Sequence, residues 1–164
     1  MRDITFRGKR LDGQGWAVGN PVEWLDLEKQ VSIACHPFGC CIDSDGNLVL
    51  LEEPYVCKVD PETIGQFTGL EDVDGQAIYE GDIVECSDSY GNEPHVAEVK
   101  YRTDMDYPAF DLVPYPDVES NAISYYLADG KIEVIGNIYD NPELLKWRIT
   151  ARLSNKRVIL WGGQ

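Results

Sequence analysis

Four Asp-Gly pairs punctuate this chain, at Asp12-Gly13, Asp45-Gly46, Asp74-Gly75 and Asp129-Gly130, with short runs of β-branched and aromatic residues around them. Asp-Gly readily adopts the left-handed backbone that a tight hairpin turn demands. A chain spaced this way is expected to fold as short antiparallel strands joined by turns. Ile4 and Phe6 alternate with Thr5 and Arg7, the period of a half-buried strand, and Trp16-Ala17-Val18 returns beyond the first turn. Asn20-Pro21 reads as a break, and Val22 to Gln30 as a helical turn or a loop around Trp24, Leu25 and Leu27. A second hairpin joins Cys40-Cys41-Ile42 to Leu48-Val49-Leu50-Leu51 through Asp43-Ser44-Asp45-Gly46-Asn47, and Tyr55 to Val59 follows as a strand.

Beyond residue 60 the same grammar continues. Asp74-Gly75 turns the chain into Ala77-Ile78-Tyr79, and Gly81-Asp82 feeds Ile83-Val84. A Gly-Asp entry of this kind opens many SH3-like barrels, since glycine permits the tight approach and the aspartate bonds nearby amides. His95 to Tyr101, Ala109 to Val113, Ser124 to Ala128 and Ile132 to Ile135 are expected as further strands, the last two joined at Asp129-Gly130. Asn141, with Pro142 after it, marks the start of a helical turn. The reading is a mainly β protein: an SH3-like β-barrel core over residues 61–145, an N-terminal β subdomain over 1–60 packed on it, and a helix or strand extension over 146–164.

The chain has 164 residues, a length that suits one domain with an appendage. Charge is unevenly placed. Residues 1–30 hold five basic and five acidic side chains, 31–95 one and fourteen, 96–145 three and ten, and 146–164 five and none. The acidic body repels phosphate, which argues against nucleic-acid binding through the main fold and leaves only the basic tail for it. Apolar runs are far shorter than the roughly 20 residues that span a bilayer, and no signal-peptide pattern opens the chain. These features predict a cytoplasmic protein with no membrane partner. Its five cysteines, Cys35, Cys40, Cys41, Cys57 and Cys86, are then free thiols.

Candidate sites each have a plainer explanation. Cys35-His36 with Cys40, Cys41 and Cys57 lacks the spacing of a zinc knuckle, and adjacent cysteines on a strand point to opposite faces. Asp43 to Asn47 and Asp72 to Gly75 lack the later glutamate and flanking helices of a calcium-binding loop. His36 and His95 fall in no nucleophile or metal motif, the carboxylates form no recognised pair, and Gly162-Gly163-Gln164 is a chain terminus rather than a scaffolded loop. Tyr90, Tyr101, Tyr107, Phe110, Tyr115, Tyr125 and Tyr126 would suit a base-stacking surface, but Lys100 and Arg102 are the only Lys or Arg in that stretch, so the rings read as core and interface aromatics. No catalytic, cofactor or metal residue is assigned, and no enzyme is expected.

Two segments resemble the YopX protein family, which is carried largely by bacteriophages and prophages. One runs from Pro61-Glu62-Thr63-Ile64-Gly65-Gln66-Phe67-Thr68-Gly69-Leu70 through Asp74-Gly75 to Ile78-Tyr79-Glu80-Gly81-Asp82-Ile83-Val84. The other is Ile132-Glu133-Val134-Ile135-Gly136-Asn137-Ile138-Tyr139-Asp140-Asn141-Pro142-Glu143-Leu144-Leu145. Ile4-Thr5-Phe6-Arg7-Gly8 is similar to the family's first strand, so the resemblance runs from about residue 1 to 145. It implies a β-rich fold with an SH3-like barrel, self-association into a homo-oligomer, and no established activity or site residues. Gly65, Gly69, Gly75, Gly81 and Gly136 read as turn and packing glycines. The stretch after Leu145 departs from the family pattern. With Trp147, Ile149, Leu153 and Val158 to Trp161 among its five bases, it is expected to dock on a neighbouring subunit.

Overall fold

The structure is a computed structural model and describes residues 4–23, 31–35, 40–42, 48–50, 56–88, 94–103, 108–114 and 122–145. It is mainly β, with two antiparallel sheets. Two compact units divide the chain: residues 1–71 with 77–80, and residues 72–76 with 81–164.

Among the described residues the first unit holds eight strands: β1 (Phe6–Lys9), β2 (Trp16–Glu23), β3 (Val31–Cys35), β4 (Cys40–Ile42), β5 (Leu48–Leu50), β6 (Val56–Lys58), β7 (Gly65–Glu71) and β8 (Ala77–Tyr79). Their order is β5-β4-β2-β1-β7-β8, with β3 branching from β2 and carrying β6. The first two hairpins thus pair as their turn signals require, Gly8 opposite Ala17 and Cys41 opposite Val49. Asn20-Pro21 does not break the chain, because β2 runs through it with Pro21 opposite Ile33. Pairing with β1 stops at Gly19, so among the described residues β2 is an edge on that side beyond it, and a missing proline N–H there costs no ladder bond. Val22 and Glu23 continue the strand opposite Ser32 and Val31 instead of starting a helical turn. Residues 24–30 lie outside the described residues, as do Asp43 to Asn47. Ala17, Ile33, Cys57 and Val59 form a buried cluster, with Val31 and Ile64 against it.

The second unit holds β9 (Asp82–Asp88), β10 (His95–Arg102), β11 (Ala109–Val113), helix α1 (Ala122–Asp129) and β12 (Gly130–Asn137). The order β11-β10-β9-β12 leaves β11 and β12 at opposite ends, so this sheet is open and not the closed barrel expected. Ser124 to Ala128, expected as a strand, lies inside α1, and Asp129-Gly130 is a helix-to-strand junction rather than a hairpin turn. The physical reason is the distance to be crossed. Three strand gaps at about 4.8 Å each separate β11 from β12. A helix of 8 residues covers about 12 Å of that while burying Ile123 and Tyr126, three positions apart, on one side. A short apolar run of this kind reads equally well at either period.

Strand alternation puts Leu112, Val99, Ala97, Val84, Cys86 and Ile132 on one face, all fully or almost fully buried, and α1 contacts β9, β11 and β12 there. The other face carries Lys131, Glu133, Glu85, Glu98 and Lys100. Residues Glu143–Leu145 are helical, as the Asn141-Pro142 signal requires. Residues 146–164 lie outside the described residues, so the docking expected of them is not addressed by the fold.

Candidate functional site

The two family-like segments converge in the second unit around three turns. In the first turn, between β7 and β8, the Asp72 amide donates to the Gln76 carbonyl at 2.9 Å and Gly75 adopts a φ of 81°. Asp72 Oδ1 accepts from the amides of Asp74 at 2.9 Å and Gln76 at 2.8 Å, and its Oδ2 accepts from the Val134 amide at 3.1 Å. Burial acts to raise the Asp72 carboxyl, but the amides of Val134, Gln76, Asp74 and Gly75 outweigh it and hold the group below its ordinary value of 3.8. A carboxylate so occupied closes a hairpin and ties it to β12.

The second turn enters β9. Gly81 has a φ of 82°, its carbonyl accepts from the Ile138 amide at 2.9 Å, and its amide donates to the Val99 carbonyl at 2.8 Å. A methyl group on Gly81 would meet Tyr139 at 3.3 Å. Asp82, next in sequence, is 1% exposed. The third turn is Gly136 to Asn141. Asn137 Oδ1 accepts from the amides of Tyr139 at 3.0 Å and Asp140 at 2.9 Å, while Asn137 Nδ2 donates to Asp140 at 3.0 Å. Asn141 Oδ1 accepts from the Asn137 amide at 3.4 Å and occupies the space where a Gly136 side chain would begin. The asparagine therefore binds back to β12 as well as preceding the helical turn. The bonds that Asp72 Oδ1 and Oδ2, Asn137 Oδ1 and Asn141 Oδ1 accept come from backbone amides.

The remaining candidates separate. Cys57 and Cys86 are buried free thiols in different units, and burial, with Glu85 adjoining, pushes the Cys86 thiol up to about 12. The side chains of Cys35, Cys40 and Cys41, and His36 as a whole, lie outside the described residues. Among the described residues no three metal-binding side chains meet. His95 Nε2 lies 3.0 Å from the Pro114 carbonyl oxygen. Tyr101 and Phe110, register partners on β10 and β11, pack edge to face at 5.1 Å, and Tyr101 stays 44% exposed. Tyr125 and Tyr126 pair on α1, whereas Tyr90, Tyr107 and Tyr115 lie outside the described residues. The described aromatics thus sit in separate pairs on β10–β11 and on α1.

One cluster in the first unit was not legible in the sequence. Arg7 on β1 lies between the rings of Trp16 on β2, at 4.7 Å, and Tyr79 on β8, at 5.0 Å, and Phe67 on β7 meets Tyr79 at 5.5 Å. The register partner of Arg7 is Gly65, where a side chain would meet the Glu80 backbone oxygen. Four strands drawn from 73 residues of sequence supply this column, so no local pattern announces it; the one available signal was Arg7 alternating on a strand with apolar neighbours.

A family model described as YopX protein matches residues 26–146. The amino-terminal strand therefore lies outside that match. No curated protein matches the chain. Among solved structures, the chain is similar to the crystal structure of protein EF1440 from Enterococcus faecalis, at 23% identity and a TM-score of 0.52, over 88% of this chain and 99% of that one. That likeness is one of fold. Among the described residues no helix is long and apolar enough to cross a membrane.

Proposed function

From the premise that the chain belongs to the YopX protein family, we propose that it is a noncatalytic phage or prophage accessory protein that associates with copies of itself and with another protein. The supporting observation is how the family-like segments use their polar side chains. The bonds that Asp72, Asn137 and Asn141 make close turns and bind strands, and none of them activates a nucleophile or gathers a ligand set. Such segments build a scaffold, and the function of a scaffold lies in its surfaces. We read the β9-β10-β11 meander, with β12 returning to pair with β9, as an SH3-like arrangement opened where α1 replaces a strand.

Association is assigned to residues 146–164, whose five bases and two tryptophans complement an acidic body. Exposed charge pairs supply only about 0–1 kcal/mol each, so Trp147, Ile149, Leu153 and the Val158 to Trp161 stretch carry most of the affinity. Light scattering on the full chain and on one ending at Leu145 tests this. The expected result is a drop to a smaller assembly, and an unchanged number of subunits rejects the reading. If the tail instead confers nucleic-acid affinity at physiological salt, the protein is a nucleic-acid-associated regulator.

A further inference from the structure

The end strand of an antiparallel sheet has alternate residues whose backbone groups point outward and invite a further strand. In β12 those residues are Ile132 and Val134. The turn between β7 and β8 takes both: the Val73 amide donates to the Ile132 carbonyl at 3.1 Å, and the Val134 amide donates to Asp72 Oδ2 at 3.1 Å. The same carboxylate holds the turn in shape through the amides of Asp74 and Gln76. Farther along, a register shift between Val134 and Gly136 and the Asn141 side chain against Gly136 disrupt the rest of the edge.

Without the turn, β12 is well suited to pair with itself. A two-fold antiparallel register centred on Ile132 sets Lys131 of one copy opposite Glu133 of the other, twice. It also lets the two Ile132 residues exchange both backbone bonds. We propose that the Asp72–Gln76 turn is an edge guard that blocks this pairing of β12 with β12 of a second copy. The guarded edge is separate from the association assigned to residues 146–164, and failure of either leaves the other standing.

The test uses the full chain carrying Asp72→Ala or Val73→Pro, with Asp74→Ala as control. Val73 is 52% exposed, so its replacement removes the donor to Ile132 without opening a core. In the unaltered protein the Val134 amide, bonded to Asp72, is expected to exchange slowly with solvent. In Asp72→Ala, dilute enough to stay unpaired, it is expected to exchange about tenfold to a hundredfold faster, the range for losing a hydrogen bond to a charged acceptor. Mass measured by light scattering should then rise with concentration for Asp72→Ala and Val73→Pro, but not for Asp74→Ala. Adding Lys131→Glu, which sets acid against acid in the proposed register, should reverse the rise. Fast Val134 exchange in dilute Asp72→Ala without any gain of mass at high concentration overturns the guard role, and so does slow Val134 exchange in dilute Asp72→Ala, where no second copy is paired to protect it. Should Asp72→Ala fail to fold, Val73→Pro decides by mass alone: a rise supports the guard and none overturns it.

Discussion

The two units stabilise open sheets by different means. In the second, helix α1 covers a continuous apolar face, and Val84, Cys86, Ala97, Val99, Leu112, Ile123 and Ile132 are each at most 1% exposed. In the first, strands branch around a cluster that includes, among the described residues, Ala17, Ile33, Cys57 and Val59, and local polar devices join them. Arg10, itself 8% exposed, grips Asp12 and Gln14 across the β1–β2 turn. Thr63 Oγ1 accepts from the Lys9 amide at 2.8 Å and donates to the Asp60 carbonyl at 2.7 Å, binding the start of β7 to β1. Arg7 and its two rings join β2, β1 and β8. A helix-covered sheet draws on apolar burial, whereas a branched sheet relies more on specific contacts that a single substitution removes.

The sharpest way to break this contrast is to add one methyl group to each unit. In Gly65→Ala the new carbon would stand 2.3 Å from the Glu80 backbone oxygen, which cannot move without displacing β8. A loss of about 3 kcal/mol or more is expected. In Gly136→Ala the obstacle is the Asn141 side chain at 2.6 Å, which can turn aside, so a smaller loss of about 1–3 kcal/mol should result. Denaturant titrations of both variants check the order, and equal losses would refute it.

Core truncation comes next. Ile33→Ala in the first unit and Leu112→Ala in the second should each cost about 2–5 kcal/mol. The buried thiols report the units separately: mass-spectrometric alkylation should find Cys57 exposed earlier in denaturant for Ile33→Ala and Cys86 earlier for Leu112→Ala. Simultaneous exposure in both variants would mean that the units unfold as one.

A turn aspartate in each unit gives a smaller, pH-dependent effect. The Arg10 guanidinium bonded to Asp12 holds that carboxyl below its ordinary value, as the amides do for Asp72. A carboxylate with a depressed folded value adds stability above its unfolded value, near 3.8 here, and loses it as pH falls through the folded one. Asp72→Asn should therefore cost about 1–2 kcal/mol at pH 7, with a shallower fall in stability as pH drops below about 5 than in the unaltered protein. An unchanged acid limb would show that Asp72 is not the group titrating. The smallest expected effect is that of Arg7→Lys, about 0.5–1 kcal/mol, since an ammonium keeps the charge but not the flat contact with both rings.

Much of the strand inventory was legible because Asp-Gly turns and period-2 alternation are local signals. Asp12-Gly13 and Asp74-Gly75 lie where turns form, and β10 and β11 fall where His95 to Tyr101 and Ala109 to Val113 alternate. Ser124 to Ala128 misled because five residues are too few to separate the two periods, and because the span from β11 to β12 is a property of the sheet alone. Pro21 misled because its cost depends on whether β2 has a neighbour at that point.

By itself the sequence determined a mainly β chain, the places of several of its turns, the glycines those turns need and the acidic balance of its body, all properties that neighbouring residues settle among themselves. Only the tertiary structure decided that the sheet of the second unit stays open, that Asp72 seats its turn on β12, and that Arg7 lies between Trp16 and Tyr79. Each of these joins residues from 9 to 72 positions apart, and which distant strands become neighbours is set by burial and pairing summed over a whole sheet, which no short window of residues contains.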